Sequence, residues 1–355
     1  MVIKLTFACS DYDRMKAIED GRVRPEGIDL TFLNYRVEET FFRQLKFREF
    51  DVSELSLSSY VLTLNQEHPP FIAIPVFPSR YFRHQSIYIN TKSGIKTPQD
   101  LRGKRIGIPE YQSMYAPSPW QLDSVSLKQD EAHNTSVTAA VWQRGMLEEE
   151  FGVPISSVQF YVGNIEPSQE QRTNKVAHSV PANTSITPIQ PGQNLSQMLE
   201  DGEVDVLFTA TKPSSFDRCE HVTYLFQDFE QVEAEYFQRT NIFPIMHVVV
   251  LKREVHEKNP WIAKTLQKAF AKSLDVAYEA IHERGALRYI LPWLEYHVER
   301  TKKLMGREWW WQDGFEGNKQ VLDKFLEYSF KQGLAKRRFK PEELFAPNTL
   351  ESFVV

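Results

Sequence analysis

Three basic residues follow an apolar run closely and could bind and protonate an acidic ligand. The run covers residues 71–77, and Arg80, Arg83 and His84 come directly after it. Ligands of α/β proteins bind at loops that follow the carboxyl ends of strands, so this segment is suitably placed. Arginine forks match carboxylates in two-point contacts, and histidine titrates near neutral pH. The residues alone favour an anion site and a loop with ordinary ion pairs about equally.

Two further residues could act as an acid or a base. His247 stands before the apolar stretch 248–251, and Glu110 follows the apolar stretch 106–109. A lone histidine beside an apolar run is more often a hydrogen-bonded core residue. An isolated glutamate is more often a helix cap or a salt-bridge partner. Their positions alone therefore favour structural roles for both.

Hydroxyl and guanidinium groups elsewhere could also contact an anion. Ser56, Ser58 and Ser59 form a serine-rich loop after a predicted strand, where hydroxyls and backbone N–H groups can bind a carboxylate. Simple turn chemistry explains the same serines. Arg14 follows the first predicted strand and Arg144 lies on a predicted helix. For both arginines the residues alone slightly favour a structural role.

The elements that must position these groups alternate between strands and helices. Apolar and polar residues alternate over 28–33, helical spacing covers 38–48 and 137–151, and residues from 259 onward are mostly helical. Such alternation predicts a mainly parallel α/β sheet with flanking helices. The polar stretches 113–136 and 164–194 interrupt it, and we expect long loops or insertions there.

Composition limits the possible partners. The net charge is −5 and basic residues are spread along the chain, so we expect no nucleic-acid partner. Apolar runs are far shorter than the roughly 20 residues of a membrane span, so we expect no membrane partner. The two cysteines, Cys9 and Cys219, do not support a disulfide framework, and the first residues read as a strand without a secretory signal. We therefore expect a cytoplasmic protein.

No motif for a metal or a cofactor is present. The sequence lacks a His-Glu-x-x-His pair, a Cys-x-x-Cys pair, a phosphate-binding loop and a dinucleotide fingerprint. We therefore expect neither a metal nor an organic cofactor. The run Trp309–Trp311 could stack on a ligand, but packing within the fold or against a second copy is more usual. We expect a homo-oligomer.

The order of elements resembles type II periplasmic binding proteins. Their second lobe commonly opens with a segment similar to Asp100–Ile108 of this chain. This resemblance implies a two-lobed α/β fold, in which each lobe is a mainly parallel sheet flanked by helices, with a helical C-terminal region. We place lobe 1 at 1–92 plus 249–355 and lobe 2 at 93–248.

Longer motifs carry a more specific resemblance. They are residues 8–14, 50–60, 74–84, 109–112, 138–145, 243–247, 309–318 and 332–334. Together these segments resemble the 4,5-dihydroxyphthalate decarboxylase family over nearly the whole chain. The chain departs from the family pattern in two places: an insertion follows Gln112, and Thr211-Lys212 stands after Phe208-Thr209-Ala210. Thr209 and Lys212 are expected substrate contacts, and the contact at Thr211-Lys212 is expected to differ from the family, whose pattern usually has Arg there.

The resemblance implies non-oxidative decarboxylation of a hydroxylated aromatic acid, with 4,5-dihydroxyphthalate converted to protocatechuate and carbon dioxide. The ring carbon is protonated in the cleft between the lobes, with His84 or His247 as the acid and Glu110 assisting. Arg80 and Arg83 would hold the carboxylates of the substrate. The alternatives are a decarboxylase of the same fold for another hydroxyaromatic acid and a non-catalytic binding protein for a small molecule.

Overall fold

The chain forms two compact units. A computed structural model describes residues 2–109, 111, 137–167, 181, 183–307 and 310–351. The first unit comprises Met1–Arg80, Ala234–Lys324 and Phe339–Val355, and the second comprises Tyr81–Glu233 and Phe325–Arg338. Each unit contains one β-sheet flanked by helices, so the predicted α/β class is confirmed.

The bounds of the elements are as follows. The strands are β1 (Ile3–Cys9), β2 (Ile28–Asn34), β3 (Val52–Ser56), β4 (Phe71–Ile74), β5 (Ile87–Asn90), β6 (Arg105–Ile108), β7 (Gln159–Val162), β8 (Ser185–Pro188), β9 (Val206–Phe208), β10 (Val222–Tyr224) and β11 (His247–Lys252). The helices are α1 (Lys16–Glu19), α2 (Val37–Phe47), α3 (Leu57–Thr63), α4 (Val137–Phe151), α5 (Leu195–Asp201), α6 (Ser214–Arg218), α7 (Phe229–Thr240), α8 (Arg253–Lys258), α9 (Trp261–Ile281), α10 (Leu294–Met305) and α11 (Lys319–Lys331).

The division between the units differs from the predicted one. The sequence predicts boundaries after residues 92 and 248, whereas the chain leaves the first unit after Arg80 and returns at Ala234. β5 explains the first difference, because it pairs with β9 and β10 in the sheet of the second unit. The segment 325–338 also belongs to the second unit, which the sequence does not predict.

The sheet of the first unit has the order β2-β1-β3-β11-β4. β1 runs parallel to β2 and β3, but β11 runs antiparallel to both β3 and β4. The predicted mainly parallel sheet is therefore mixed here. The backbone N–H of Leu57 donates to the carbonyl oxygen of Met246 (3.0 Å), so β11 begins where β3 ends and must run in the opposite direction.

The long helix α9 covers one face of this sheet. Its apolar residues Ile262, Leu266 and Phe270 recur at helical spacing and pack into the core with strands β1, β3, β4 and β11. Phe270 meets Phe7 edge to face, with the ring centroids 5.0 Å apart. Neither α9 nor any other helix in the described ranges is both long enough and apolar enough to cross a bilayer.

The sheet of the second unit has the order β10-β5-β9-β6-β7-β8. Strands β9, β6, β7 and β8 are parallel, and β5 and β10 join by antiparallel pairing. β8 corrects the prediction that 164–194 is loop throughout. Its residues are mostly exposed at the edge of the sheet, so they lack the apolar alternation from which strands are predicted.

Helix α4 packs against the segment 325–338 within the second unit. The Trp142 ring lies 5.6 Å from Phe325 and 5.7 Å from Tyr328, measured between ring centroids. Gly145 makes this approach possible, because a Cβ there would lie 2.2 Å from the Tyr328 ring. A helical glycine, ordinarily unfavourable, is therefore explained by packing.

Candidate functional site

Polar groups converge at one end of the sheet in the first unit. They lie where β1 and β3 end and where β11 begins, which is the position where α/β sheets bind ligands. All five residues of β3 are buried. One of them, Glu54, is a carboxylic acid that is completely buried in the centre of the sheet. A buried acid at this position requires partners.

Glu54 accepts hydrogen bonds from four groups. The His247 Nδ1 lies 2.6 Å from its Oε1, and the Tyr12 hydroxyl donates to the same oxygen at 2.5 Å. The Ser10 backbone N–H donates to Oε2 at 3.1 Å, and the Cys9 thiol approaches that oxygen at 3.5 Å. These donors surround both carboxylate oxygens and hold the group in one orientation.

The protonation states follow from these contacts. Burial by itself raises the pKa of Glu54, but the charge and hydrogen bond of His247, aided by Tyr12 and Ser10, outweigh it and leave the pKa below its ordinary value. Burial beside the Glu54 carboxylate raises the pKa of the Tyr12 phenol far above its usual range, and that of the Cys9 thiol also rises. Glu54 is therefore an anion surrounded by groups that keep their protons.

His247 is held on one side and open on the other. Its Nδ1 is bound by Glu54, and the Phe41 ring meets the imidazole edge to face at 4.9 Å. The side chain is 17% exposed. Within the described part of the chain, the second ring nitrogen, Nε2, has no hydrogen-bond partner. A buried carboxylate that binds Nδ1 fixes the tautomer and directs Nε2 outward.

The serine-rich loop lies beside this histidine. Ser56 is the residue opposite His247 in the antiparallel pairing of β3 with β11. Its hydroxyl lies 3.2 Å from that of Ser58, and both residues are buried, as is Ser59. The structure therefore brings three of the candidate binding residues to the same end of the sheet as His247.

Arg14 and Arg80 use their N–H groups within the first unit. Arg14 donates to the Phe77 carbonyl oxygen (3.0 Å) and forms an ion pair with Asp313. Arg80 donates to the carbonyl oxygens of Phe243 (3.0 Å) and Gln312 (2.8 Å) and to the side chain of Asn318. Burial lowers the pKa of Arg80 to about 9. These contacts are the ones expected of arginines that fix loops.

The second unit contains another cluster of titratable groups. His84 is buried, its Nδ1 lies 3.8 Å from the Glu233 carboxylate, and the Phe226 ring packs against it at 5.3 Å. Burial raises the pKa of Glu233 to about 7, although Gln85 donates two hydrogen bonds to its carboxylate, each 3.1 Å long. Burial also lowers the pKa of Arg83 to about 10.

The other candidates of the second unit lie in three different surroundings. Arg144 is fully buried, donates to Gln332 (2.8 Å) and lies over the Tyr111 ring (4.2 Å). Thr209 is buried at the end of β9, and its hydroxyl accepts a hydrogen bond from the Thr211 backbone N–H (3.1 Å). Lys212 is exposed and pairs with Asp217 at 2.6 Å. Glu110 lies outside the described residues.

Comparison with known proteins identifies the family. No family model matches the chain. It is 38% identical over 354 residues to a 4,5-dihydroxyphthalate decarboxylase of Comamonas testosteroni, covering 99% of both chains. This chain belongs to the 4,5-dihydroxyphthalate decarboxylase family. A second 4,5-dihydroxyphthalate decarboxylase, from Pseudomonas putida, is 35% identical over 237 residues, which cover 66% of this chain and 82% of the relative.

Similarity to solved structures concerns the fold alone. A mutant of the desulfurization enzyme DSZB, solved in complex with biphenyl-2-sulfinic acid, is 13% identical with a TM-score of 0.50, covering 99% of this chain and 98% of that one. The aliphatic sulphonate-binding protein SsuA of Escherichia coli is 11% identical with a TM-score of 0.48, covering 99% of both chains.

Sequence reasoning did not predict two side chains that contact the His247 imidazole in this member of the decarboxylase family, Glu54 and Tyr12. Glu54 and Tyr12 lie inside the matching motifs, but neither was singled out as functional. Glu54 carries a usable signal, because a glutamate in the middle of a short, otherwise uncharged strand must find a partner. No group of three or more His, Cys, Asp or Glu side chains within the described ranges is arranged to hold a metal ion.

Proposed function

We propose that this protein removes a carboxyl group from a hydroxylated aromatic acid without an oxidant, converting 4,5-dihydroxyphthalate to protocatechuate and carbon dioxide. Membership of the 4,5-dihydroxyphthalate decarboxylase family supports this reaction and the class of carboxy-lyases. The observation that carries the mechanism is the buried Glu54–His247 pair, with Nδ1 of the imidazole bound and Nε2 open.

The chemical step needs one proton delivered to carbon. In 4,5-dihydroxyphthalate each carboxylate has a para hydroxyl, which supplies electron density to the carbon bearing that carboxylate. The protonated imidazole of His247 gives its Nε2 proton to this carbon, and a C–H bond forms. The bond to the carboxylate then breaks, its electron pair returns to the ring, and carbon dioxide leaves. Imidazole regains a proton from the solvent, which restores the enzyme, so the reaction consumes one proton for each carbon dioxide released.

His247 fits the role of the acid better than His84. The Glu54 carboxylate stabilises a positive charge on His247 and fixes its tautomer, as an orienting acid does for a catalytic histidine. His84 is 1% exposed, lies among the rings of Phe151 and Phe226, and its Nδ1 is 3.8 Å from Glu233. A group this enclosed can transfer a proton to a substrate only after a rearrangement.

The serine-rich loop supplies groups for the substrate on the same sheet. We propose that the hydroxyls of Ser56, Ser58 and Ser59 contact a carboxylate or phenol oxygen, which is supported by the pairing of Ser56 with His247. The roles of Arg83 and Lys212 as substrate ligands remain predictions. Arg14 and Arg80 act by fixing the surrounding loops, since their guanidinium groups already donate to protein acceptors.

The test is turnover by chelator-treated protein. We expect equal amounts of protocatechuate and carbon dioxide to form from 4,5-dihydroxyphthalate. His247→Gln should lose turnover by about 10²-fold or more, because general acids contribute that much, while its affinity for phthalate stays near that of the wild type. Phthalate has no para hydroxyl, so it reports binding without reaction. His297→Gln, at an exposed position on α10, is the matched control and should keep full activity.

Three outcomes would change the assignment. Loss of turnover in His84→Gln with full turnover in His247→Gln would move the acid to the second unit. Tight binding of 4,5-dihydroxyphthalate without product would favour a binding protein or a decarboxylase for another hydroxyaromatic acid. Activity that returns only with an added divalent cation would contradict the cofactor-free reaction.

We also propose that the protein is a homo-oligomer of the cytoplasm. Five exposed large apolar side chains within residues 287–296 support self-association: Leu287, Ile290, Leu291, Trp293 and Tyr296. Light scattering after gel filtration should report an oligomer that Ile290→Glu dissociates; a monomeric wild type would contradict it.

The free thiols, with Cys9 buried, support a reducing compartment, which cell fractionation tests.

A further inference from the structure

A cavity lies in the first unit, behind the loop that carries Tyr12. It has a volume of about 200 Å³ and is bounded by that loop, by α9 and by the segment around Trp310. Tyr12, Leu274, Ala277, Tyr278, Trp310 and Trp311 line its walls. Glu54 and His247 are not among the lining residues. The lining residue Tyr12 stands between, because its hydroxyl donates to Glu54 and lies 3.3 Å from His247 Nδ1.

The size and the walls of the cavity suit a single aromatic ring. A dry cavity of about 150 Å³ holds benzene, so 200 Å³ accommodates one ring with small substituents. Two tryptophans and two tyrosines contribute faces and edges, and Trp310 meets Tyr278 edge to face at 5.3 Å. Aromatic pairs prefer offset or edge-to-face arrangements, which such walls offer to a planar guest.

The polar groups of the cavity specify the substituents. Arg14 lines it but is only 3% exposed, and its Nε is buried too completely for a guest to reach. The other guanidinium nitrogens of Arg14 are taken by Phe77 and Asp313, and the Asp313 carboxylate already balances the charge. Asp13, an exposed carboxylate, also lines the cavity.

These groups favour a neutral hydroxyl over a carboxylate. A hydroxyl can donate its hydrogen to an acceptor such as the Asp13 carboxylate, whereas a carboxylate has no hydrogen to donate. A second anion would lie near two aspartates and a cation that is already paired, so it would lose its hydration without gaining an opposite charge.

We propose that this cavity is a binding site for a small phenol or catechol, separate from the site of decarboxylation. The guest ring lies among Tyr12, Tyr278 and the two tryptophans, and one hydroxyl donates its hydrogen to the Asp13 carboxylate. Trp310 and Trp311 belong to the run that the sequence left between a stacking platform and ordinary packing, and they supply part of the wall.

The test uses catechol and benzoate as matched probes in calorimetric titration of the full-length protein at pH 7. Catechol should bind, and benzoate should bind at least about tenfold more weakly because its charge is not compensated. Ala277→Leu fills the cavity and should weaken catechol binding by about tenfold or more. Ala271→Leu makes the same change on α9 away from the lining and should leave the catechol affinity unchanged.

Saturating phthalate separates this site from the proposed reaction. Phthalate occupies the reaction site and carries two carboxylates that the cavity disfavours, so catechol should bind the phthalate-saturated protein as it binds the free protein. Loss of catechol binding in the presence of phthalate would place the guest at the reaction site and overturn the proposal. Equal affinity of Ala277→Leu and wild type, equal affinity for benzoate and catechol, or no binding of catechol would each overturn it as well.

Discussion

Replacing Glu54 by glutamine tests whether the buried carboxylate stabilises the protonated form of His247, which is the proposed acid. Glutamine keeps the size and one oxygen but removes the charge. Two of the shortest bonds, from His247 (2.6 Å) and Tyr12 (2.5 Å), end on the same Oε1. Charge-assisted hydrogen bonds contribute roughly 1.5–3 kcal/mol and are about twice as strong as neutral ones, so neutralising this acceptor should cost about 2 kcal/mol.

The lost hydrogen-bond energy destabilises the protonated imidazole. Since that form donates the proton in the reaction, kcat should fall. A change of about 1.4 kcal/mol corresponds to tenfold, so Glu54→Gln should lower kcat by roughly 30-fold at pH 7. The affinity for phthalate should hardly change, because Glu54 lies behind the histidine. The assay is release of carbon dioxide, with phthalate binding measured separately and circular dichroism confirming the fold.

The double variant Glu54→Gln with His247→Gln decides whether the two residues act as a unit. If Glu54 works only through His247, the double variant should be no slower than His247→Gln alone. A folded Glu54→Gln enzyme with wild-type kcat would refute the reasoning. Losses that multiply in the double variant would refute it too, since Glu54 would then act on the substrate or on another residue.

The Glu54→Gln variant should also change how the free energy of unfolding depends on pH. The pKa of Glu54 is lower in the folded protein than its ordinary value of 4.5, so the unfolded chain binds its proton more readily. The stabilisation is therefore complete above pH 4.5 and is lost as the pH falls through the folded value. Urea unfolding should show this loss in the wild type but not in Glu54→Gln. Parallel curves for the two proteins would contradict an ionised Glu54.

Three further predictions concern stability. Arg14→Met should lower the free energy of unfolding in urea by roughly 3–5 kcal/mol, because it leaves the buried Asp313 unpaired. Lys212→Met, which breaks an exposed ion pair, should lower it by under about 1 kcal/mol, and similar losses in the two variants would contradict this. Burial raises the pKa of Glu233 from 4.5 to about 7, so the unfolding free energy should fall by about 3 kcal/mol as the pH rises through that window, and Glu233→Gln should flatten the fall; an unchanged slope in the variant would argue against it. Gly145→Ala should lower the free energy of unfolding, measured by thermal melting, by about 2 kcal/mol, because the added Cβ meets the Tyr328 ring. This loss is expected although alanine has the better helix propensity, and a more stable variant would mean that the ring moves away freely.

Much of the fold follows from local sequence patterns. The predicted helix at 137–151 matches α4, the predicted strand at 28–33 matches β2, and the helical spacing over 38–48 matches α2. β2 and α2 carry a clear periodicity within a few residues, whereas α4 is buried nearly all round. β8 was missed because its residues are mostly exposed and not alternating. The apolar stretch 248–251 matches β11, but its antiparallel direction was not predicted, because strand direction depends on where a distant segment enters the sheet.

The candidate site was only partly predictable for the same reason. His247 was identified through the family motif, but its partner Glu54 lies 193 residues away in the chain, and only the pairing of β3 with β11 brings them together. Arg80 was expected to bind a carboxylate. Its acceptors, which include Phe243 and Asn318, are equally remote in sequence, so spacing could not reveal them. Residue types indicated the chemistry, and long-range pairing determined which groups perform it.

The place of β11 between β3 and β4 has a consequence for synthesis on the ribosome. β1, β2 and β3 can pair as soon as they emerge, but β4 has no neighbour in the sheet until the chain has been made to Lys252. Until then Glu54 lacks its imidazole partner, and one edge of β3 is open. The nascent chain therefore passes through a long period with an unprotected strand edge, at which it is most exposed to pairing with other chains.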